Sequence, residues 1–184
     1  MKITGIILAG GLSSRMGQNK SLVEINGMPM ILHVYNKLLP QVSSVLISTN
    51  EKLAMFPENV QFEDQMKECK GPLTGIYEGL KKAQTPWVQF CPNDSPNLPN
   101  DLVENLSQHI DDQTRIILPI VNGRFEPTFM LCHQSVANDI PDFITNNNPK
   151  IMDWIQTHQH KTVKFNDKNE FININTESDL KVFN

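Results

Sequence analysis

A glycine pair and two cations follow the first apolar run of the chain. Gly10 and Gly11 come one residue after Ile3–Leu8, and Arg15 and Lys20 lie further along the same segment. Adjacent glycines let backbone N–H groups approach a ligand without a Cβ in the way, and oriented amides combined with cations bind anions. The segment therefore predicts a polyphosphate site. The alternative is a glycine-rich turn that joins a strand to a helix and leaves both cations solvated.

This segment matches neither of the commonest phosphate-binding motifs. A P-loop needs four residues between its first glycine and a Gly-Lys-Ser/Thr triplet, and a dinucleotide fingerprint needs GxGxxG. Neither pattern occurs in the string LAGGLSSRMGQNK, residues 8–20. The prediction of a phosphate site therefore rests on the whole string rather than on its glycines alone.

Asp94 has the right residue type to hold a divalent cation. It follows the apolar run Trp87–Cys91 and lies between Pro92 and Pro96, in a stiff turn. Mg²⁺ is usually held by one or two carboxylates together with substrate phosphates and water. We therefore expect Asp94 to be a metal ligand if the glycine segment binds a polyphosphate. The alternative is an Asx-turn that only caps the following loop.

Two further segments could complete such a site. Asp64 follows a short apolar run, and the stretch 71–75 (GPLTG) is a glycine-bracketed entry into a helix, where free N–H groups can contact an anion. In the stretch 171–176 apolar and amide residues alternate, which places Asn173 and Asn175 on one face. The alternatives are an ordinary loop-to-helix junction and a strand edge that leads into a helix cap.

The elements that must position these residues alternate along the chain. Apolar, β-branched runs predict strands at Ile3–Leu8, Val45–Ser48, Val60–Phe62, Trp87–Cys91 and Arg115–Val121. Helical spacing and capping residues predict helices over Pro29–Leu39, Leu73–Ala83, Leu102–Ile110 and, near the C-terminus, Asn175–Leu180.

This alternation of strands and helices implies βαβ units. We predict an α/β fold in a single domain, residues 1–184: a three-layer, doubly wound, mostly parallel sheet with helices on both faces. Ligands of such sheets bind beyond the carboxyl ends of the strands, which is where the glycine pair and Asp94 fall.

Composition narrows the classes of function. The net charge of −4 lacks the basic excess of a general nucleic-acid binder. The longest apolar runs are far below the roughly 20 residues of a membrane span, and the N-terminus lacks the long apolar stretch of a signal peptide. Cys69, Cys91 and Cys132 form no CxxC pair, which predicts free thiols in a reducing cytoplasm. His158 and His160 have no third ligand nearby in sequence and predict a polar surface segment.

Together these motifs resemble those of the bacterial molybdenum cofactor guanylyltransferases, the MobA-type nucleotidyltransferases. The opening string is similar to the LAGGxSxRMGxxK signature of enzymes that act on nucleoside triphosphates. The resemblance covers nearly the whole chain: it continues through Leu22–Gly27, Glu63-Asp64, GPLTGI, the Asp-Ser-Pro turn and FININT. The opening string indicates the superfamily, whereas GPLTGI, FININT and the short chain indicate the subfamily.

The resemblance implies a Rossmann-like nucleotidyltransferase fold and an activity. That activity is the Mg²⁺-dependent transfer of GMP from GTP to the terminal phosphate of molybdenum-carrying molybdopterin, with release of pyrophosphate. Arg15, Lys20 and Asp94 would be catalytic, with Asp94 the Mg²⁺ ligand. The nucleotide-binding positions would be Leu8, Ala9, Gly10, Gly11, Gly17, Lys20, Asp64, Gly71, Gly75 and Asp94. Asn173, Asn175 and Lys150 would contact the acceptor.

The resemblance also implies partners and a location. The small-molecule partners would be GTP and molybdenum-molybdopterin. The protein partners would be cofactor-insertion proteins and client molybdoenzymes, met transiently in the cytoplasm, with no nucleic acid and no membrane. The chain departs from the family pattern twice: Asn93 stands where a cysteine is frequent, and Glu126 stands where a histidine or glutamine is common.

Two alternatives remain open from the sequence. One is a related cytidylyltransferase that uses CTP, with molybdopterin or an isoprenoid precursor as acceptor. The other is a nucleotide-binding regulatory module without turnover. The joint presence of Arg15, Lys20 and Asp94 favours an enzyme, because a sensor can bind phosphate without a metal carboxylate.

Overall fold

An eight-stranded sheet organises the part of the chain that this computed structural model describes, residues 1–10, 20–63, 71–146 and 150–180. In chain order the strands are β1 (Ile3–Leu8), β2 (Glu24–Ile25), β3 (Met28–Pro29), β4 (Ser44–Ser48), β5 (Gln61–Phe62), β6 (Trp87–Pro92), β7 (Ile116–Val121), β8 (Arg124–Phe125), β9 (Leu131–His133) and β10 (His160–Phe165). The α-helices are α1 (Met30–Leu38), α2 (Pro72–Lys82), α3 (Leu102–Ser107), α4 (Ile140–Asn146), α5 (Ile151–Ile155) and α6 (Glu177–Leu180).

The strand order is β10-β7-β9-β6-β1-β4-β5, with β8 paired to β7 and with β2 and β3 in a separate hairpin. β1 lies in the centre and runs parallel to β4 and β6. β7 and β10 are parallel to each other, and β9 fills the gap between β6 and β7 in the antiparallel direction. The predicted mostly parallel, doubly wound sheet is therefore confirmed.

Helices cover both faces of the sheet, because successive side chains of a central strand point to opposite sides. On β1, Ile7 packs into the layer that contains α1 and α3, whereas Ile6 packs into the layer that contains α2, α4 and α5. Both isoleucines are fully buried. A continuous apolar strand with two buried faces is typical of the middle of a parallel sheet, and the three-layer prediction is confirmed.

All five predicted strands exist, and their ends shift by a residue or two. β7 starts one residue after Arg115, and Val60 belongs to a 3-10 turn that precedes β5. The helix predicted over Leu102–Ile110 ends at Ser107. The C-terminal stretch of alternating amides forms no ladder with a neighbouring strand.

The sequence analysis missed β9, β10, α4 and α5. β10 is an edge strand in which exposed and half-buried residues alternate, so it lacks the apolar run that marked the central strands. β9 has three residues, and α5 has five, too few for periodicity to show. No helix among the described residues is long and apolar enough to cross a bilayer.

The prediction of a polar surface segment at His158 and His160 is wrong for His158. Its side chain is 15% exposed, pairs with the Asp139 carboxylate at 3.1 Å and meets the edge of the buried Trp154 ring. Burial lowers the pKa of His158 below its usual range, although the Asp139 charge opposes this shift. His160 lies exposed at the start of β10, as expected.

Close packing of α2 on the sheet depends on a glycine. A Cβ at Gly79 would lie 2.6 Å from Ile6 Cδ1 and 3.1 Å from Phe90 Cε1, and both of these side chains are fully buried. Since such interiors are close-packed, the helix can sit at this depth only because the position carries no side chain.

We expect Gly79→Val to destabilise the protein by about 1–3 kcal/mol, because it overpacks a full core. The free energy of unfolding from urea denaturation checks this. Lys81→Val is the matched control, since it places the same side chain at an exposed position of α2. Equal losses in both variants would show that helix propensity, not contact with the sheet, sets the effect.

Candidate active site

The carboxyl ends of β1, β4 and β6 lie side by side and form the floor of the candidate site. The parallel register pairs Leu8 with Ser48 on one side and with Pro92 on the other. Beyond the strands, the Ala9 N–H donates to the Ser48 carbonyl at 2.7 Å, and the Asn93 N–H donates to the Leu8 carbonyl at 3.2 Å. The start of the glycine segment and the turn that carries Asp94 are therefore held together by backbone hydrogen bonds.

Lys20 contacts two other site residues predicted from sequence, Asp94 and Asn175. Its Nζ lies 2.6 Å from Asp94 Oδ2 and donates to Asn175 Oδ1 at 2.7 Å. The side chains of Lys20 and Asp94 are only 14% and 15% exposed, so water screens the pair much less than it screens a surface ion pair. The cation sits directly on the carboxylate that the sequence suggested as a metal ligand.

The other carboxylate oxygen of Asp94 lacks a hydrogen-bond partner in the described part of the chain. Asp94 Oδ1 is buried and has no hydrogen-bond partner among the described residues. An unpaired buried carboxylate oxygen costs free energy unless something coordinates it, and carboxylate oxygen is the donor that Mg²⁺ prefers. The described residues hold no cluster of three or more His, Cys, Asp or Glu side chains suited to a metal. The site therefore fits a cation that takes one protein carboxylate and draws its other ligands from substrate and water.

The C-terminal FININT segment closes over the Asp94 turn. The Ile174 N–H donates to the Asp94 carbonyl at 2.8 Å, and Ser95 Oγ donates to Asn173 Oδ1. Asn173 thus contacts the Asp94 turn, and Asn175 contacts Lys20, which pairs with Asp94. Their assignment to the acceptor stays a prediction.

An aromatic cluster anchors this segment to the sheet. The Phe171 ring meets Phe129 and Phe165 edge-on, with centroids 4.9 and 5.1 Å apart. Phe165 ends β10, and Phe129 lies in the 3-10 turn just before β9. The edge-to-face contacts are a favoured aromatic geometry and fix where the chain enters the site.

The N-terminus of α2 opens onto the same edge. Gly71, which precedes the helix, has φ +134°, a conformation that favours glycine. A Cβ at Gly75 would come within 3.0 Å of Ser48 Oγ and 3.2 Å of Leu8 Cδ2. Gly75 therefore lets the first turn of α2 approach the ends of β1 and β4 closely.

At Gly10 the carbonyl accepts a hydrogen bond from Asn50 Nδ2 at 3.2 Å.

The sequence analysis missed the contact that ties Lys20 to the Asp94 turn through their neighbours. Asn93 Nδ2 donates to the buried Ser21 Oγ at 2.7 Å. From the sequence, Asn93 is only a departure from the family pattern. In the structure its partner is Ser21, the residue next to Lys20. No sequence signal indicated Ser21, because the two residues lie 72 positions apart.

The second departure, Glu126, lies half-buried beside the hairpin of β7 and β8. Burial raises the pKa of its carboxyl, and the charge of Arg124 opposes that shift. No hydrogen bond among the described residues joins the Glu126 side chain to Lys20 or Asp94.

Several predicted positions either lie outside the described residues or have no contact with the cluster. Gly11, Arg15, Gly17 and Asp64 lie outside the described residues, as do Cys69 and the loop residues 147–149. Lys150 precedes α5 and is exposed, and no contact among the described residues connects its side chain to Lys20 or Asp94. Its role toward the acceptor stays a prediction.

The described thiols are unsuited to nucleophilic chemistry. Cys91 and Cys132 are free and buried. Burial raises the pKa of both thiols far above the physiological range, and the Asp139 charge adds to the effect at Cys132. The site therefore offers a cation, a carboxylate and amides, which position ligands and neutralise charge.

Comparison with known proteins agrees with this geometry. Residues 5–163 match the family described as MobA-like NTP transferase domain. A molybdenum cofactor guanylyltransferase of Yersinia pseudotuberculosis serotype O:1b (strain IP 31758) is 38% identical over 98% of this chain and 94% of its own. One from Vibrio campbellii (strain ATCC BAA-1116) is 37% identical over 97% of this chain and 93% of its own.

A solved structure shares the fold. Molybdopterin-guanine dinucleotide biosynthesis protein A from Archaeoglobus fulgidus superposes with a TM-score of 0.79 at 22% identity, over 97% of this chain and 95% of that one. The match of the family pattern to most of the sequence, and full-length relatives well above 30% identity, make the relationship plain. This chain belongs to the MobA-like NTP transferase family, alongside the molybdenum cofactor guanylyltransferases.

Proposed function

We propose that this protein transfers GMP from GTP to the phosphate of molybdenum-molybdopterin, giving molybdopterin guanine dinucleotide and pyrophosphate. In this reaction an oxygen of the acceptor phosphate forms a bond to the α-phosphorus of GTP. The bond from that phosphorus to the bridging oxygen breaks, and the electron pair leaves with pyrophosphate. The attacking phosphate is already anionic, so the reaction needs neither a nucleophilic side chain nor a general base.

The observation that carries this proposal is the buried Lys20–Asp94 pair at the carboxyl edge of the sheet, with Asp94 Oδ1 left without a partner among the described residues. A polyanion at this edge would meet the Lys20 cation and the first turn of α2, whose N–H groups favour negative charge. The full-length similarity to guanylyltransferases supports GTP as that polyanion.

The chain's own residues act by position and charge. The backbone of Leu8, Ala9 and Gly10 lies at the end of β1, where amides can line the triphosphate. Lys20 would move from Asp94 to the phosphates as GTP binds, since a triphosphate offers more negative charge than one carboxylate. Fixed positive charge near the departing pyrophosphate stabilises the transition state more than the ground state.

Mg²⁺ would be held by Asp94, through the oxygen that has no protein partner. When bound there, it supplies neutralisation of phosphate charge, as a Lewis acid does in related chemistry. Asn175, which contacts Lys20, would keep the Lys20 ammonium directed toward the phosphates.

The remaining proposals concern the surroundings of the reaction. Asn173, Asn175 and the exposed Lys150 are our candidates for acceptor contacts, and Gly11, Arg15, Gly17 and Asp64 complete the proposed nucleotide site. We propose one domain, residues 1–184, and a cytoplasmic location, which the free buried thiols of Cys91 and Cys132 support. Transient contact with insertion proteins and client molybdoenzymes is part of the same proposal.

Incubation with GTP, Mg²⁺ and molybdenum-molybdopterin tests the function directly. We expect a dinucleotide product together with pyrophosphate, and larger thermal stabilisation by GTP than by CTP. A product formed from CTP but not from GTP would favour the cytidylyltransferase alternative. Nucleotide binding without pyrophosphate release would favour a regulatory module.

We expect Asp94→Asn to fold normally and to lose at least about a hundredfold in turnover, which corresponds to about 2.7 kcal/mol of transition-state stabilisation. The neutral amide cannot replace an anionic metal ligand. Turnover and the affinity for Mn²⁺ plus GTP, followed by electron paramagnetic resonance, check this. Asp111→Asn is the matched control, since Asp111 also pairs with a lysine, Lys161, at 2.6 Å. Near-parent turnover of Asp94→Asn at saturating Mg²⁺ would remove Asp94 from the metal site.

Lys20→Met should change two affinities in opposite directions. GTP should bind about tenfold or more weakly, because a charged hydrogen bond to phosphate contributes about 1.5–3 kcal/mol. Mn²⁺ without nucleotide should bind more tightly, because the cation that competes for Asp94 is gone. Calorimetry measures both constants, with Lys161→Met as the matched control. Unchanged affinities for both ligands would show that Lys20 is only a structural partner of Asp94.

A further inference from the structure

A reciprocal pair of hydrogen bonds starts the last described helix, α6. Asp179 Oδ2 accepts hydrogen bonds from the N–H groups of Asn175 and Thr176, at 2.9 and 2.8 Å. In return, Thr176 Oγ1 accepts one from the Asp179 N–H at 3.3 Å. This is a capping box, in which the side chains at the two ends of the first turn satisfy each other's backbone N–H groups.

The residue that this box holds is also the residue that holds Lys20. The Asn175 backbone N–H donates to the Asp179 carboxylate, and the Asn175 side-chain oxygen accepts a hydrogen bond from the Lys20 ammonium at 2.7 Å. One residue earlier, the Ile174 N–H donates to the Asp94 carbonyl. The segment just before α6 therefore contacts both members of the ion pair, Asp94 through the Ile174 backbone and Lys20 through the Asn175 side chain. Asp179 fixes the backbone at the end of that segment.

The charge of Asp179 suits this role. The hydrogen bond from the Asn175 backbone is the largest cause that lowers the pKa of the Asp179 carboxyl, the contacts with Thr176 add to it, and the positive charge of Lys20 contributes further. An ionised carboxylate accepts stronger hydrogen bonds than a neutral group.

We propose that Asp179 is a positioning residue for nucleotidyl transfer: its carboxylate holds the backbone of Asn175 so that the Asn175 carboxamide aims the Lys20 ammonium. Among the described residues, no hydrogen bond joins Asp179 to Lys20 or Asp94, and in our proposal Asp179 does not contact the substrates. The inference rests on the proposed function, because the value of aiming Lys20 lies in its contact with the phosphates of GTP.

The test compares Asp179→Ala with Asp179→Glu and with a control. Asp111→Ala is the control, since Asp111 likewise accepts two backbone N–H groups, from Gln113 and Thr114. It lies just before β7, at the edge of the sheet opposite the site. The measurements are kcat and KM for pyrophosphate release, the dissociation constant of GTP with Mg²⁺, and the melting temperature.

We expect Asp179→Ala to lower kcat/KM for GTP about tenfold and to leave the melting temperature close to that of the Asp111→Ala control. Asp179→Glu should recover most of the loss, because glutamate is the usual third-position partner in a capping box. An Asp179→Ala variant with parent kcat/KM, or a variant whose loss follows a lowered melting temperature that Asp111→Ala does not show, would overturn the proposal.

A double-mutant cycle decides whether Asp179 acts through Asn175. If it does, the variant with both Asn175→Ala and Asp179→Ala should be no worse than Asn175→Ala alone, because the interaction is lost only once. Losses that multiply would mean that Asp179 acts independently, and the proposal would fail.

The proposed function and this inference fail separately. Absence of pyrophosphate release from the parent protein would refute the proposed function only. The same cycle, measured by calorimetry as GTP affinity, would then judge the positioning role on its own. There too, multiplied losses or an unchanged Asp179→Ala variant would overturn it.

Discussion

The ion pair between Lys20 and Asp94 is the interaction on which the site depends. It joins two turns that lie 74 residues apart in sequence, in a place where both side chains are largely buried. Because both side chains are largely withdrawn from water, solvent screens this pair less than it screens an ion pair on the surface. The surrounding contacts all serve this pair: Asn93 reaches Ser21, Asn175 holds Lys20, and Ile174 holds the backbone of Asp94. These contacts bring together a cation, a carboxylate with one oxygen that has no partner among the described residues, and the carboxamides of Asn93 and Asn175.

The sheet makes this meeting possible because parallel strands end at the same edge. β1 and β6 are in register from Ile3 with Trp87 to Leu8 with Pro92, so the turns that follow them are neighbours. Gly75 and Gly79 let α2 lie close to these strands, and the first turn of α2 reaches the same edge. The packing of the layers therefore also sets the geometry of the site, since α2 both covers the core and presents its first N–H groups to the site.

The C-terminal segment forms one side of the site, next to the strand ends and the first turn of α2. Its anchor is apolar, with the Phe171 ring against Phe129 and Phe165, and its tip is polar, with Asn173 and Asn175 at the Asp94 turn. A segment without ladder hydrogen bonds has to be held by its ends. The aromatic cluster holds the start and the capping box at Asp179 holds the finish. The fold shares this general architecture with a protein of molybdopterin guanine dinucleotide biosynthesis. Asn93, which contacts Ser21, is one of the two positions where this chain departs from the family pattern.

The amino-acid sequence by itself determined the central strands, three amphipathic helices and the short list of chemically able residues. Ile3–Leu8 and Trp87–Pro92 are nearly unbroken apolar runs. Hydrophobic periodicity is a local property that can be recognised in the sequence alone. The edge strand β10 and the short strand β9 were not predicted from the sequence, because pairing with neighbouring strands, not their own residue patterns, makes them strands. Only the tertiary structure decided which of these polar residues contact one another. Lys20 and Asn175 are 155 residues apart, and no local pattern encodes such a contact. It follows from strand order, register and the path of the last segment over the sheet edge, which exist only once the whole chain has packed.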